Sequence, residues 1–278
     1  MRERHILGLS GGRDSAALAL HMREEYPNLD IEYFFTDTGK ELPEVYEFLV
    51  RLEGTLGRPI VRLNPDRDFD FWLREYKHFL PSPRTRWCTR QLKLRPLEQW
   101  LRADLDAGIV VHSYVAIRAD EPSRKGYQTT HPNMRVHFPF KEADVTRREV
   151  IEILEGQEVG EPAYYRWRSR SGCTFCFFQQ KIEWVRLMRE HPNAFEDAKL
   201  YEKTAREHGS PYTWNQGESL EELSRPERVA QIKAEWYLRQ ARLNARRRSN
   251  PLAVGLPVDI DEVYGVHEAE AGCLVCHK

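Results

Sequence analysis

Between Leu7 and Leu20 the chain reads L-G-L-S-G-G-R-D-S-A-A-L-A-L, and Ser10, Gly11, Gly12, Asp14 and Ser15 are the residues in it equipped for anion chemistry. An apolar run from His5 to Leu9 ends in Ser-Gly-Gly, and an Ala/Leu-rich helical pattern begins at Asp14. Two glycines let the backbone bend sharply and approach a ligand closely, while a helix start offers N–H groups and a positive dipole end. A phosphate fits there. The loop is not a Walker loop, because no Gly-Lys-Ser/Thr follows, and not G-x-G-x-x-G, because the third glycine is missing.

The cysteines are the second group with chemical capacity. There are five: Cys88 and two C-x-x-C pairs, Cys173/Cys176 and Cys273/Cys276. Such a set suits metal or redox chemistry in a reducing compartment better than a disulfide scaffold. Two thiolates three positions apart reach one ion or cluster, and Gly172 frees the backbone ahead of the first pair. Zinc held by both pairs is chemically simple, yet roughly 100 residues separate them, against the ~15–20 of a zinc ribbon. A thioredoxin-like redox pair needs a β-α unit that neither pair opens. A 4Fe-4S cluster on Cys88, Cys173, Cys176 and one of Cys273 or Cys276 accounts for more of the chain.

Elements that position these groups are legible in the pattern. A helix from Asp14 to Tyr26 leads to a strand, Ile31 to Phe35, which ends at Thr36-Asp37-Thr38-Gly39. Thr36 and Asp37 therefore stand at the carboxyl end of a strand beside the phosphate loop, where open α/β sheets bind ligands, and Asp37 suits a ribose hydroxyl or a magnesium ion. A helix opened by Pro43 and a strand over Ile60–Leu63 continue the alternation, which predicts a parallel, doubly wound α/β sheet. Further strands are expected over Ile109–Ile117, ending at Arg118, and over Arg135–Phe140. Thr146 and Glu149 form a capping box for the helix that follows. Two domains are expected, a nucleotide-binding domain over 1–158 and a helical, cysteine-bearing extension over 159–278, with helices over Pro192–His208 and Leu220–Arg246.

At 278 residues and 41% hydrophobic the chain has enough apolar surface for a substantial core. A formal net charge of −1 sets up no global field for nucleic acid, although 31% charged residues leaves room for local patches. One lies between Arg84 and Arg95, where five basic residues and no acidic one surround Cys88; a second, with Arg239, Arg242, Arg246, Arg247 and Arg248, ends the long helical stretch. Absence of a long apolar run or a signal-peptide core predicts a cytoplasmic protein that meets no membrane.

The segment S-G-G-R-D-S resembles the PP-loop of the ATP pyrophosphatase superfamily. T-D-T-G-K-E-L-P-E-V-Y-E-F is similar to the segment that follows that loop in the phosphoadenosine phosphosulfate (PAPS) reductase family, and Arg118-Ala-Asp-Glu to that family's arginine signature. Cys88 to Leu97 resembles its Cys-Cys-x-x-x-Lys-x-x-Pro-Leu segment, with Thr89 in place of the second cysteine. The resemblance covers about residues 5 to 180. It implies that Ser10, Gly11, Gly12, Asp14 and Ser15 hold ATP phosphates, that Arg118 meets the anionic end of the nucleotide, and that Asp14, Asp37 and Arg118 serve the reaction. The tail lacks the reductase's Glu-Cys-Gly-Leu-His segment. The preferred expectation is therefore the branch similar to the iron–sulfur ATP pyrophosphatases of DNA phosphorothioation systems, which activate a nucleic-acid phosphate for sulfur insertion. That branch implies ATP, magnesium and a 4Fe-4S cluster, with DNA favoured over tRNA, a cysteine desulfurase as sulfur donor and other modification proteins as partners. PAPS or adenosine phosphosulfate reduction with sulfite release is the alternative, and a non-catalytic nucleotide-binding subunit the third.

Overall fold

The computed structural model describes residues 2–126, 129–169 and 172–249. Cys273, Cys276 and His277 lie outside the described residues, as do the side chains of Arg246, Arg247 and Arg248. Five strands, β1 (Glu3–Gly8), β2 (Ile31–Thr36), β3 (Ile60–Leu63), β4 (Val110–Tyr114) and β5 (Met134–His137), form one sheet in the order β3-β2-β1-β4-β5. Every pairing is parallel. The chain winds outward from β1 to β3 and then restarts at β4 on the other side, so the carboxyl end of β1 is the switch point at which such sheets bind ligands.

Alternation along the strands sorts the core onto two faces. Leu7, Tyr33 and Phe35 pack with α1 (Arg13–Glu25), α2 (Pro43–Leu56) and α7 (Arg147–Gly156) in the larger cluster. Ile6, Phe34 and Val111 form a smaller cluster with Leu101 of α5 (Arg95–Asp106) on the other face. Between β3 and α5 lie α3 (Phe69–Glu75) and the short α4 (Trp87–Thr89), which runs into α5 through a π-helical turn, Arg90–Leu94.

Three boundaries differ from the sequence pattern. The strand expected over Ile109–Ile117 ends at Tyr114, because β5 stops at His137 and Val115 makes the last ladder bond, to the His137 carbonyl. The strand expected to reach Phe140 stops because Pro139 has no N–H for a ladder and instead opens α6 (Pro139–Glu142). The single helix expected over Leu220–Arg246 is two, α10 (Leu220–Leu223) and α11 (Pro226–Ser249), since Pro226 cannot donate into a preceding turn. The capping box is present on α7: Glu149 accepts from the Thr146 N–H at 2.9 Å. Beyond α7 the described regular elements are helices joined by loops, with α8 (Lys181–Glu190) and α9 (Pro192–Glu207) packed together. Among the described residues no helix is long and apolar enough to cross a membrane.

Candidate functional site

Ser10, Gly11 and Gly12 connect β1 to α1, and the loop is closed by its own hydroxyls. The Ser10 N–H donates to Ser15 Oγ at 3.1 Å, the Gly12 N–H to Ser10 Oγ at 3.3 Å, and Ser15 Oγ to the Gly12 carbonyl at 3.3 Å. Gly11 has φ +70°, a conformation that disfavours a side chain, and a Cβ there would stand 2.4 Å from Val45 Cγ1 of α2. Behind the loop, Asp14 Oδ1 accepts from Arg118 Nη1 at 3.1 Å.

Arg118 is fully buried, and its guanidinium is taken up largely by carboxylates. Its Nε donates to Asp120 at 2.7 Å, and Glu121 lies 3.7 Å from Nη2. Burial opposes the charge, but Asp14, Glu121 and Asp120 hold its pKa far above the usual range. Arg118 thus ties the end of β4 to the first turn of α1, while its Nη2 makes no hydrogen bond. Arg13 behaves similarly: buried, it donates to Glu161 at 2.6 Å and lies 4.4 Å from the Tyr165 ring centroid, with Nε and Nη2 unpartnered.

Thr36 ends β2 and is buried. Asp37 follows it, half-buried, and one oxygen, Oδ1, accepts from the Gly39 N–H at 2.9 Å and from the Tyr46 hydroxyl at 2.8 Å.

The C-x-x-C loop is seated directly on the segment after Asp37. The Thr174 N–H donates to the Lys40 carbonyl and the Leu42 N–H to the Gly172 carbonyl, each at 2.7 Å, with Glu41 bridged to Cys173 between them. A Cβ on Gly172 would fall 1.9 Å from Val45 Cγ2, so this glycine is needed for close approach and not for freedom to wrap a metal. Val45 therefore packs against both the Ser10–Ser15 glycine loop and the cysteine loop. Arg168, also buried, donates from Nη2 to the Cys173 carbonyl at 2.6 Å, and its Nε and Nη1 make no hydrogen bond.

Cys88, Cys173 and Cys176 are half-buried and share one electrostatic neighbourhood. Burial, then Glu41, Cys176 and Cys88, push the Cys173 thiol well above its usual range, against the pull of Lys93. Lys93 Nζ stands 3.7 Å from the buried Glu41 carboxylate, which also accepts from Thr38 Oγ1 at 2.9 Å. Cys88 and Lys93 lie on either side of the start of the π-helical turn, a feature frequent at functional sites. Among the described residues no group of three or more His, Cys, Asp or Glu is set to hold a metal ion.

Residues 4–139 match the phosphoadenosine phosphosulfate reductase domain. This stretch holds the Ser10–Ser15 loop, Asp37, Cys88 and Arg118, whereas Cys173 and Cys176 lie beyond it. Two uncharacterized proteins of Methanocaldococcus jannaschii are similar: MJ0066, 24% identical over 217 residues, which are 76% of this chain and 43% of that protein, and MJ0973, 22% identical over 191 residues, 67% and 44%. The chain spans less than half the length of these relatives. Among solved structures, PAPS reductase from Candida auris in its phosphate complex aligns with a TM-score of 0.47 and 12% identity, over 61% of this chain and 81% of that one.

The structure brings Ser10, Gly11, Gly12, Asp14, Ser15 and Arg118 together directly, and Cys88 with Cys173 and Cys176. Sequence reasoning did not find Val45, Arg13, Glu41, Arg168 or Tyr164, whose hydroxyl donates to the Gly11 carbonyl at 3.1 Å. The one signal for the last was the aromatic and basic run Tyr164–Arg168 just ahead of the cysteines.

Proposed function

We propose that the protein is a PP-loop ATP pyrophosphatase that uses ATP to activate a nucleic-acid phosphate, in the first instance of DNA, for sulfur insertion. What carries this reading is the seating of the C-x-x-C loop on Lys40–Leu42 and, through Val45, against Gly11, which gives thiol and phosphate chemistry a common wall. The spare N–H groups of Arg13, Arg118 and Arg168 support it further. Unpaired buried donors cost about 1–3 kcal/mol each, a penalty that a polyphosphate would relieve.

In this reading Ser10, Gly11, Gly12 and Ser15 hold the triphosphate, Asp14 is oriented by Arg118, and Arg118 Nη2 offsets charge as pyrophosphate leaves. Asp37 Oδ2 and Thr36 serve magnesium or the ribose. Cys88, Cys173 and Cys176, which share one electrostatic neighbourhood, would supply three ligands to a 4Fe-4S cluster, with Cys273 or Cys276 as the fourth; zinc is the lesser reading. When bound, such a cluster would offer an iron able to ligate sulfur. Lys93 and Arg168 bring positive charge to the thiolates, and the sulfur donor is a cysteine desulfurase working in the reducing cytoplasm with other modification proteins.

The match over residues 4–139 favours a second reading, reduction of an adenylylated sulfate to sulfite. The two separate by product. Anaerobically purified protein is incubated with ATP and DNA, and separately with PAPS and a thiol reductant. Pyrophosphate release in the first mixture is expected; sulfite release in the second, without pyrophosphate in the first, overturns the proposal.

A further inference from the structure

Two ring pairs lie where the loop after α3 meets the loop after α9. His78 stacks on His208 with centroids 3.9 Å apart, and Phe79 meets Tyr212 at 5.8 Å. Phe79 is 38% exposed and Tyr212 57%, so the two touching rings form a paired aromatic surface open to solvent. Lys77 and His78 hold φ of 52° and 60°, so two successive non-glycine residues sit in the left-handed region to present this edge.

The same edge is tied to the thiol site. Trp87, the residue before Cys88, donates from Nε1 to the Phe79 carbonyl at 3.0 Å and stacks on Tyr76. Residues 76–97 carry six basic side chains and no acidic one. Lys77, Arg84 and Arg90 are exposed, as are Lys203 and Arg206 on α9, with Glu75 and Glu207 the acidic residues adjoining the two loops.

Exposed rings beside positive charge match a strand whose bases stack while its phosphates are tracked electrostatically. We propose that Phe79 and Tyr212, with the exposed Lys77, Arg84 and Arg90 of the basic segment that runs from Tyr76 past Cys88, form a stacking platform that holds unpaired bases of the nucleic acid and leads its backbone toward Cys88. This rests on the nucleic-acid reading above and adds where, and in which form, the strand is held. Duplex DNA hides its base faces, so the platform selects single-stranded or locally opened substrate.

The full chain is titrated into a fluorescein-labelled single-stranded DNA of about 12 nucleotides and into its duplex, with anisotropy as readout. Phe79→Ala and Tyr212→Ala are each expected to weaken single-strand binding at least about fivefold, leaving the salt slope and the melting temperature unchanged. Tyr212→Phe keeps the ring and the affinity. Lys77→Gln lowers the slope of log K against log salt by about 0.7. If the unaltered protein binds the strand and the alanine variants bind it equally well, the platform falls and the nucleic-acid reading stands. If the unaltered protein binds neither DNA, both fall.

Discussion

Val45 is the residue on which the two halves of the candidate site meet. Its methyl groups leave no room for a side chain at either glycine: a Cβ would fall 1.9 Å from Val45 Cγ2 at Gly172 and 2.4 Å from Val45 Cγ1 at Gly11. Overpacking of this kind costs about 1–3 kcal/mol. The two glycines differ, because Gly11 also has φ +70° whereas Gly172 is limited only by space. Gly172→Ala is expected to lose most of its cost in a Val45→Ala background. Gly11→Ala should keep about 1–2 kcal/mol in that background, the strain of a left-handed backbone with a Cβ. Urea unfolding of the two double-mutant cycles measures this, and equal rescue at both positions would refute the distinction.

At the scale of elements, three neighbouring strands carry a stack of imidazoles. His5 of β1 lies opposite His112 of β4, with ring centroids 4.7 Å apart, and His112 meets His137 of β5 at 5.1 Å. Tyr114 bonds His5 at 2.9 Å, and Glu3, Asp30 and Glu142 are the carboxylates that face the group. Burial, then the charge of His112, hold His5 and His137 below the ordinary histidine pKa. The unfolded chain therefore binds more protons than the native one below about pH 6.5, so stability is full above that value and falls as the pH drops. A melting temperature lower at pH 5 than at pH 7 is expected, with a shallower dependence in His137→Phe. A variant as pH-sensitive as the parent would show that the stack is not the cause.

For the molecule as a whole, helices past α7 complete a site begun by the sheet. Residues 161–168 cross the Ser10–Ser15 loop, Tyr164 bonding the Gly11 carbonyl and Glu161 pairing with Arg13, and the cysteine loop then packs on residues 40–42. On the cluster and nucleotide readings proposed above, the thiols themselves make none of the contacts that close the Ser10–Ser15 loop, so their loss should leave nucleotide binding largely intact. Anaerobically purified chain is expected to contain iron and acid-labile sulfide, and Cys173→Ser to lose both while ATP still raises its melting temperature. Zinc without iron in the parent would contradict the cluster assignment.

Much of this was legible in order along the chain. Strand, glycine loop and helix around Ser10–Ser15 are local events, as are the strand ending at Thr36 and the capping box at Thr146, because each is fixed by residues a few positions apart. The C-x-x-C spacing of Cys173 and Cys176 is likewise a local feature, read without any tertiary information. Proline decided two boundaries that hydrophobic periodicity alone extended too far, at Pro139 and Pro226. Only the tertiary structure could decide that Arg118 is buried among Asp14, Asp120 and Glu121, since Asp14 stands on another element far away in the chain. The same holds for Gly172, whose need for glycine comes from a valine on α2. Sequence determined which residues are capable of phosphate and thiol chemistry; packing determined that they share one wall, because that wall is built from contacts between distant segments.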